Sequence, residues 1–144
     1  MENRKLNIIV VGAGMGGCSL IEIFKDSETV NIVGVIDINT EAPGIHLAQK
    51  YGIPTSTTWE EFICLETLDE IFDVTGSYTI FKQLIKTKPE HVGIIGGPSA
   101  KMIWQLLEER TEHEQELKKK LEELEKFLKF AVNRELTMVE LKKQ

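Results

Sequence analysis

"VVGAGMGG", residues Val10–Gly17, sets Gly12, Gly14 and Gly17 in a G-x-G-x-x-G spacing at the end of the apolar run LNIIVV. An apolar strand that enters such glycines and then opens a helix predicts a phosphate-binding turn. Gly12 makes the tight turn, Gly14 lets a pyrophosphate approach the backbone, and Gly17 lets the helix pack closely on the strand. Leu20, Ile21 and Phe24 follow at helical spacing, and NIVGVID, Asn31–Asp37, then reads as a second strand ending in an acid twenty residues after Gly17. A helix N-terminus offers free N–H groups and partial positive charge to phosphates. Ala13, Met15 and Gly16 complete the turn, and Asp37, followed by Ile38, is placed to accept hydrogen bonds from a ribose diol. The same carboxylate repels a 2′-phosphate, and DINTEAPG holds no Arg or Lys to offset it, so NAD is favoured over NADP. The plain alternative is that the glycines only shape the turn and Asp37 is a solvated strand end.

Further along, short β-branched runs continue to alternate with amphipathic stretches. APGIHLAQKYG reads as a helix with Pro43 in its first turn and Gly52 past its end. A short strand near IPTST leads to Thr58, which with Glu61 three residues later forms the pattern of a capping box for WEEFICLE. EIFDVTG and HVGIIGG are strands four and five, with SYTIFKQLIKT the helix between them. The fold class is therefore α/β: a doubly wound parallel sheet of five strands in the order 3-2-1-4-5, followed by a long C-terminal helix. At the carboxyl ends of the strands, Thr75, Gly76 and Ser77 after strand four and Gly96 and Gly97 after strand five face the same crevice. They read equally well as ligand contacts or as ordinary loop residues.

Past Pro98 the chain has no glycine and no further proline, and Glu, Lys and Leu dominate. This divides it into a nucleotide-binding domain, residues 1–97, and a helix, residues 98–144. A helix over 99–142 spans roughly 65 Å at ~1.5 Å per residue, so most of it is expected to project. Met102, Ile103, Leu106 and Leu107 can cover the sheet, and EERTEHEQE is polar on every side. Leu117, Leu121, Leu124, Phe127, Leu128 and Ala131 then recur at spacings near three and four, continued by Val132, Leu136 and Val139. Such a stripe needs a partner, and the expected one is the same helix of a second subunit in a short homodimeric coiled coil.

Composition bounds the rest. The net charge of −6 argues against sequence-independent nucleic-acid binding, and no apolar run approaches the length of a membrane span. Cys18 and Cys64 stand far apart without a second pair, so no zinc site or disulfide framework is indicated, and a reducing cytoplasm is the expected location. Of the histidines, His46, His91 and His113 are expected to be solvated or structural.

The stretches NIIVVGAGMGG, NIVGVIDINTEAPGIHLAQKYGIPTSTTWEEF and FDVTGSYTIFKQLI resemble the Rossmann-fold, nucleotide-binding half of the glucose–fructose oxidoreductase and inositol dehydrogenase family. That resemblance implies a bound nicotinamide dinucleotide. In the family the fifth strand leads into Glu-Lys-Pro, whose lysine serves in catalysis. Here IIGGPSA stands there: Pro98 matches, while Gly96 and Gly97 replace the glutamate and lysine. The family's substrate domain and catalytic histidine have no counterpart either. With GGPSAKMIWQLLEER and the Glu/Lys-rich helix included, the whole chain is similar to the N-terminal sensory region of certain bacterial histidine kinases and sigma-factor activators. This second resemblance implies a ligand-responsive module with a downstream signalling partner.

Three readings follow. The first is an NAD(H)-binding sensor or regulatory module without a catalytic residue of its own. The second is an NAD-dependent oxidoreductase completed by another chain or domain, with Tyr78 the nearest proton-carrying group. The third treats Cys18, in the first turn of a helix, as a redox-active thiolate, against the simpler role of a small core residue. Coenzyme A and other adenine nucleotides are alternative ligands of such a fold.

Overall fold

The computed structural model describes residues 4–143, with side chains through residue 139. Its elements run β1 (Leu6–Val11), α1 (Met15–Phe24), β2 (Val30–Ile36), α2 (Pro43–Lys50), β3 (Thr55–Ser56), α3 (Glu60–Ile63), β4 (Glu70–Asp73), α4 (Tyr78–Thr87), β5 (Gly93–Ile95) and α5 (Gly97–Lys143). The strands form one five-stranded sheet in the order β3-β2-β1-β4-β5, with each neighbouring pair parallel. This is the doubly wound α/β architecture expected from the alternating pattern.

The central strand explains why both faces are covered. Alternate strand residues point to opposite sides, and on β1 all four of Ile8, Ile9, Val10 and Val11 are buried. Ile8 and Val10 join Leu20 and Ile21 of α1 and Ile45 and Ala48 of α2 on one face. Ile9 and Val11 join Phe62 and Ile63 of α3 and Leu84 of α4 on the other. The register between β1 and β2 slips once, where Ile8 pairs with Ile32 but Ile9 pairs with Gly34, leaving Val33 as an extra residue on β2.

Two local expectations are corrected. No capping box forms from Thr58 and Glu61: α3 begins at Glu60, its N-cap is Trp59, and no side chain caps it. The Ser56 hydroxyl instead accepts the Thr58 N–H, at 3.2 Å, so a serine turn takes the donor that a capping arrangement would organise. The helix is also only four residues long. At the start of α5, Met102 and Leu106 do not cover the sheet but are exposed. Ala100 is fully buried, and Ile103, Trp104 and Leu107 pack on the α1/α2 side of the core. Those four positions follow the i, i+3, i+4, i+7 pattern of one helix face, which rotates Met102 and Leu106 outward.

The chain divides into two compact units, Met1–Glu108 and Glu109–Gln144. Within the second, Leu117, Leu121, Leu124, Phe127, Leu128, Phe130, Val132, Leu136, Met138 and Val139 are all exposed. Among the described residues no helix is long and apolar enough to cross a membrane.

Candidate nucleotide site

The glycine turn leaves β1 with Gly12 at φ +105°, in the left-handed region. A Cβ on Gly12 would lie 3.0 Å from the Thr75 nitrogen and 3.1 Å from the Val74 carbonyl carbon, so the ends of β1 and β4 meet there. The Gly12 N–H donates to the Ile36 carbonyl at 2.8 Å, tying the turn to the end of β2 as well. Gly17 is closer still to its surroundings: a Cβ there would fall 2.2 Å from the Gly12 carbonyl oxygen. Gly14 differs, because its Cβ would point into open space with nothing within 4 Å. Gly12 and Gly17 are thus required by packing alone, whereas Gly14 borders the open side of the turn.

That side presents donors. Gly14 is the N-cap of α1, no side chain caps the helix, and its first turn holds no acidic residue. The first helical bond runs from the Cys18 N–H to the Gly14 carbonyl, at 2.9 Å. The N–H groups of Met15, Gly16 and Gly17 find no acceptor among the described residues. Met15 itself is 85% exposed beside them.

Asp37 lies one residue past β2. Its Oδ2 accepts the Ala13 N–H at 2.8 Å and its Oδ1 accepts the Asn39 N–H at 2.9 Å. A carboxylate offers about four acceptor directions, so each oxygen keeps capacity for a further donor. Asp37 also lines a cavity of about 190 Å³ with Thr40, Ile45, Gln49 and Thr55–Thr57. Ile38, the next residue along the chain, is 85% exposed. The α2 helix reaches the same turn through Gly44, whose N–H donates to the Ala13 carbonyl at 2.7 Å and whose Cβ would lie 2.9 Å from that of Ala13. The role of Gly44 is not visible in the sequence, because it depends on a contact between segments about thirty residues apart.

At the other end of the crevice a relay of short bonds shapes the turn after β4. Asp73, 2% exposed, accepts from the Thr75 N–H at 3.0 Å and the Thr75 hydroxyl at 2.6 Å. Thr75 Oγ1 accepts the Ser77 N–H at 3.1 Å, and Ser77 Oγ accepts the Ile80 N–H as the N-cap of α4. The side chains of Thr75 and Ser77 are therefore engaged in building the turn, with Gly76 at φ +72° between them. Gly76, Ser77, Gly96 and Gly97 nevertheless come together, with Tyr78, Phe81 and Pro98, around a cavity of about 250 Å³. Gly96 is forced by packing, since its Cβ would strike the Phe81 ring. Tyr78 contributes the one titratable side chain of that lining, and its ring lies 4.7 Å from Lys82 Nζ.

The start of α5 touches the turn directly. A Cβ on Gly16 would lie 3.2 Å from Trp104 Nε1. The Ser19 hydroxyl of α1 donates to Glu108 Oε1. A larger cavity, about 450 Å³, is lined by Lys5, Val30, Asn31 and Tyr51 among others, at the opposite ends of β1 and β2. In open α/β sheets ligands bind outside the carboxyl ends of the strands, so the glycine crevice is the candidate site despite its smaller cavities.

Over part of its length the chain is similar to several known proteins. Acetaldehyde dehydrogenase 5 of Rhodococcus jostii (strain RHA1) is 26% identical over 81 residues, 53% of this chain and 25% of that protein. The structure of GenD2 from gentamicin A biosynthesis, in complex with NAD, is similar with a TM-score of 0.50 and 28% identity, over 58% of this chain and 24% of that one. An NAD-binding protein from Listeria innocua shares the fold with a TM-score of 0.53 at 19% identity, over 63% and 26% of the two chains. No family model matches. The chain thus resembles a nucleotide-binding domain and covers about a quarter of each of these proteins.

The thiolate reading of Cys18 meets the opposite environment. Burial first, and the Glu22 carboxylate second, push its thiol above the ordinary cysteine range. Cys18 is half-buried while Cys64 is exposed. Iodoacetamide at neutral pH is expected to label Cys64 several-fold faster than Cys18, as read by peptide mass spectrometry. Faster labelling of Cys18 would restore the redox reading. His46 pairs with Glu41 at 3.0 Å on the exposed surface.

Proposed function

We propose that this chain is an NAD(H)-binding regulatory module, homodimeric through its C-terminal helix and lacking a catalytic residue of its own. The observation that carries the nucleotide part is the set of acceptor-free N–H groups of Met15, Gly16 and Gly17 on the open side of Gly14, with Asp37 fixed at the same turn. These groups suit a pyrophosphate on the helix N-terminus and a ribose diol on the carboxylate. Ala13, Gly12 and Gly17 shape the cradle, Ile38 offers an apolar surface beside Asp37, and Thr75–Ser77 with Gly96 and Gly97 border the nicotinamide end. Similarity to GenD2, solved with NAD, supports the same ligand. NAD is preferred to NADP because no cation follows Asp37 before α2 to balance a 2′-phosphate.

The regulatory part rests on Trp104 and Glu108. Both belong to α5 and both touch the first turns of α1, so a ligand that shifts that helix shifts α5 with it. Coupling requires that the ligand bind two arrangements of α5 with different affinity. A downstream signalling protein is the natural recipient, in a cytoplasmic setting. The second reading, the nucleotide-binding part of an oxidoreductase, is favoured by the 250 Å³ cavity at the ends of β4 and β5. Against it stands the absence of any lysine, histidine or carboxylate side chain from that lining.

The test is a titration of NAD, NADH, NADPH and coenzyme A into the full chain carrying Trp59→Phe, so that Trp104 alone reports. NADH is expected to quench Trp104 emission by energy transfer and to change the distance between spin labels placed at Lys126. No quenching and no thermal shift with any nucleotide would end the ligand assignment. Binding without a change in distance would end the regulatory one. Oxidation of a polyol with NADH formation on adding a partner protein would favour the oxidoreductase.

A further inference from the structure

We infer that the crevice distinguishes the redox states of its nucleotide and holds NAD+ in preference to NADH, because the buried carboxylate of Asp73 answers a positive charge that only the oxidised nicotinamide carries. The inference deepens the reading above and rests on its nucleotide part. Asp73 ends β4, and among the described residues it is the one charged side chain that is buried. A buried carboxylate is ordinarily paired with a cation, because taking an ion out of water costs more than a few hydrogen bonds return. Asp69, just before the other end of the same strand, shows the usual solution: Arg4 donates to both of its oxygens, at 2.8 and 2.9 Å. No ion pair among the described residues reaches Asp73.

Its place in the fold says where the missing cation belongs. Both donors that Asp73 holds, the Thr75 N–H and the Thr75 hydroxyl, go to Oδ1, and Oδ2 accepts nothing from the described residues. Thr75 Oγ1 in turn accepts the Ser77 N–H, so the carboxylate stands two short hydrogen bonds away from Ser77, which lines the 250 Å³ cavity. Gly96 of the same lining is close as well, since a Cβ added there would lie 3.3 Å from the Asp73 Cβ. The charge therefore sits just behind the wall of the cavity at the ends of β4 and β5. The rest of that wall is Tyr78, Phe81, Pro98 and glycines, which bring no charge of their own.

One cation competes with it. Lys82 Nζ lies 4.7 Å from the centre of the Tyr78 ring and opposes a positive ligand ring, but Lys82 is exposed. Water and salt screen an exposed charge, with a Debye length of about 8 Å at physiological ionic strength, whereas a buried charge acts through protein of lower effective dielectric. Asp73 is the stronger influence. The two redox forms share the adenine, both riboses and the pyrophosphate, so the ratio of their affinities reports the ring charge. NAD+ is expected to bind about tenfold more tightly than NADH. A module with this preference follows the oxidised part of the nucleotide pool.

The experiment is calorimetric titration of the full chain with NAD+, NADH and ADP-ribose, which lacks the nicotinamide. Asp73→Asn keeps a carbonyl oxygen for the two Thr75 donors and removes the charge. It is expected to weaken NAD+ about tenfold and to move NADH and ADP-ribose by less than about twofold. Equal loss of all three ligands would make Asp73 a brace of the turn and overturn the inference. Lys82→Glu, on the exposed surface, carries no risk to the core and is expected to raise the ratio of NAD+ to NADH affinity about threefold at low salt. A ratio that neither variant moves overturns the charge argument. Wild-type protein that binds NADH as tightly as NAD+ overturns this inference and leaves the nucleotide reading standing, while absence of binding by all three compounds overturns both.

Discussion

Replacing Gly17 with alanine is expected to lower the unfolding free energy by about 3 kcal/mol and to abolish NADH binding. The methyl group would sit 2.2 Å from the Gly12 carbonyl oxygen, a backbone atom that cannot swing aside as a side chain can. Either α1 moves off β1 or the turn at Gly12 opens, and both displace the N–H groups of Met15 and Gly16 from the crevice. Urea unfolding and an NADH titration of the same preparation measure the two effects.

Gly14→Ala is the necessary contrast. Its methyl group meets nothing within 4 Å and its φ of −82° suits any residue. Stability is expected to stay within about 1 kcal/mol, the scale of an N-cap exchange. NADH affinity is expected to fall at least ~tenfold, because the methyl group fills the space through which a pyrophosphate would approach the helix N-terminus. Unchanged NADH affinity in Gly14→Ala would mean that the phosphates do not sit on this turn.

Asp37→Ala carries the second large effect. The Ala13 N–H, on a residue with no exposed surface, loses its acceptor, and the Asn39 N–H loses its own. An unsatisfied buried donor costs about 1–3 kcal/mol, so destabilisation near 2 kcal/mol is expected. NADH affinity is expected to fall by roughly a hundredfold, the scale of two hydrogen bonds to a charged group. The preference for NADH over NADPH should shrink at the same time, because the charge opposing a 2′-phosphate is gone. Asp37→Asn, which keeps one carbonyl acceptor, should fall between. A destabilised Asp37→Ala that still binds NADH as wild type does would reduce Asp37 to a structural brace of the turn.

Much of this arrangement is legible from local pattern. The β-branched run before Gly12, the helical spacing of Leu20, Ile21 and Phe24, and Pro43 and Gly52 at the two ends of α2 locate their elements, because strand alternation, helix periodicity and end signals act over a few residues. Strand order follows from the right-handed, short crossovers that a βαβ chain permits. Where local signals compete, pattern misleads. Thr58 and Glu61 have the spacing of a capping box, yet Ser56 holds the Thr58 N–H first. Met102 and Leu106 are as apolar as Ile103 and Leu107, and only the packing of Ala100 against the core shows which face of α5 turns inward.

The sequence by itself determined the strand–glycine–helix turn, the acid at the end of the second strand and the doubly wound sheet, since each is written in residues near one another along the chain. Only the tertiary structure decided what those residues touch. Around the first turn it separated glycines that packing demands, Gly12, Gly17 and Gly44, from Gly14, which borders open space. It turned Asp37 back onto the Ala13 N–H, committed the Thr75 and Ser77 hydroxyls to their own turn, and raised rather than lowered the Cys18 thiol. The contacts of Asp37 and Gly44 with Ala13, and of Gly12 with Thr75, join segments distant in sequence, and even the short-range ones depend on how closely helices and strands pack, which no local spacing encodes.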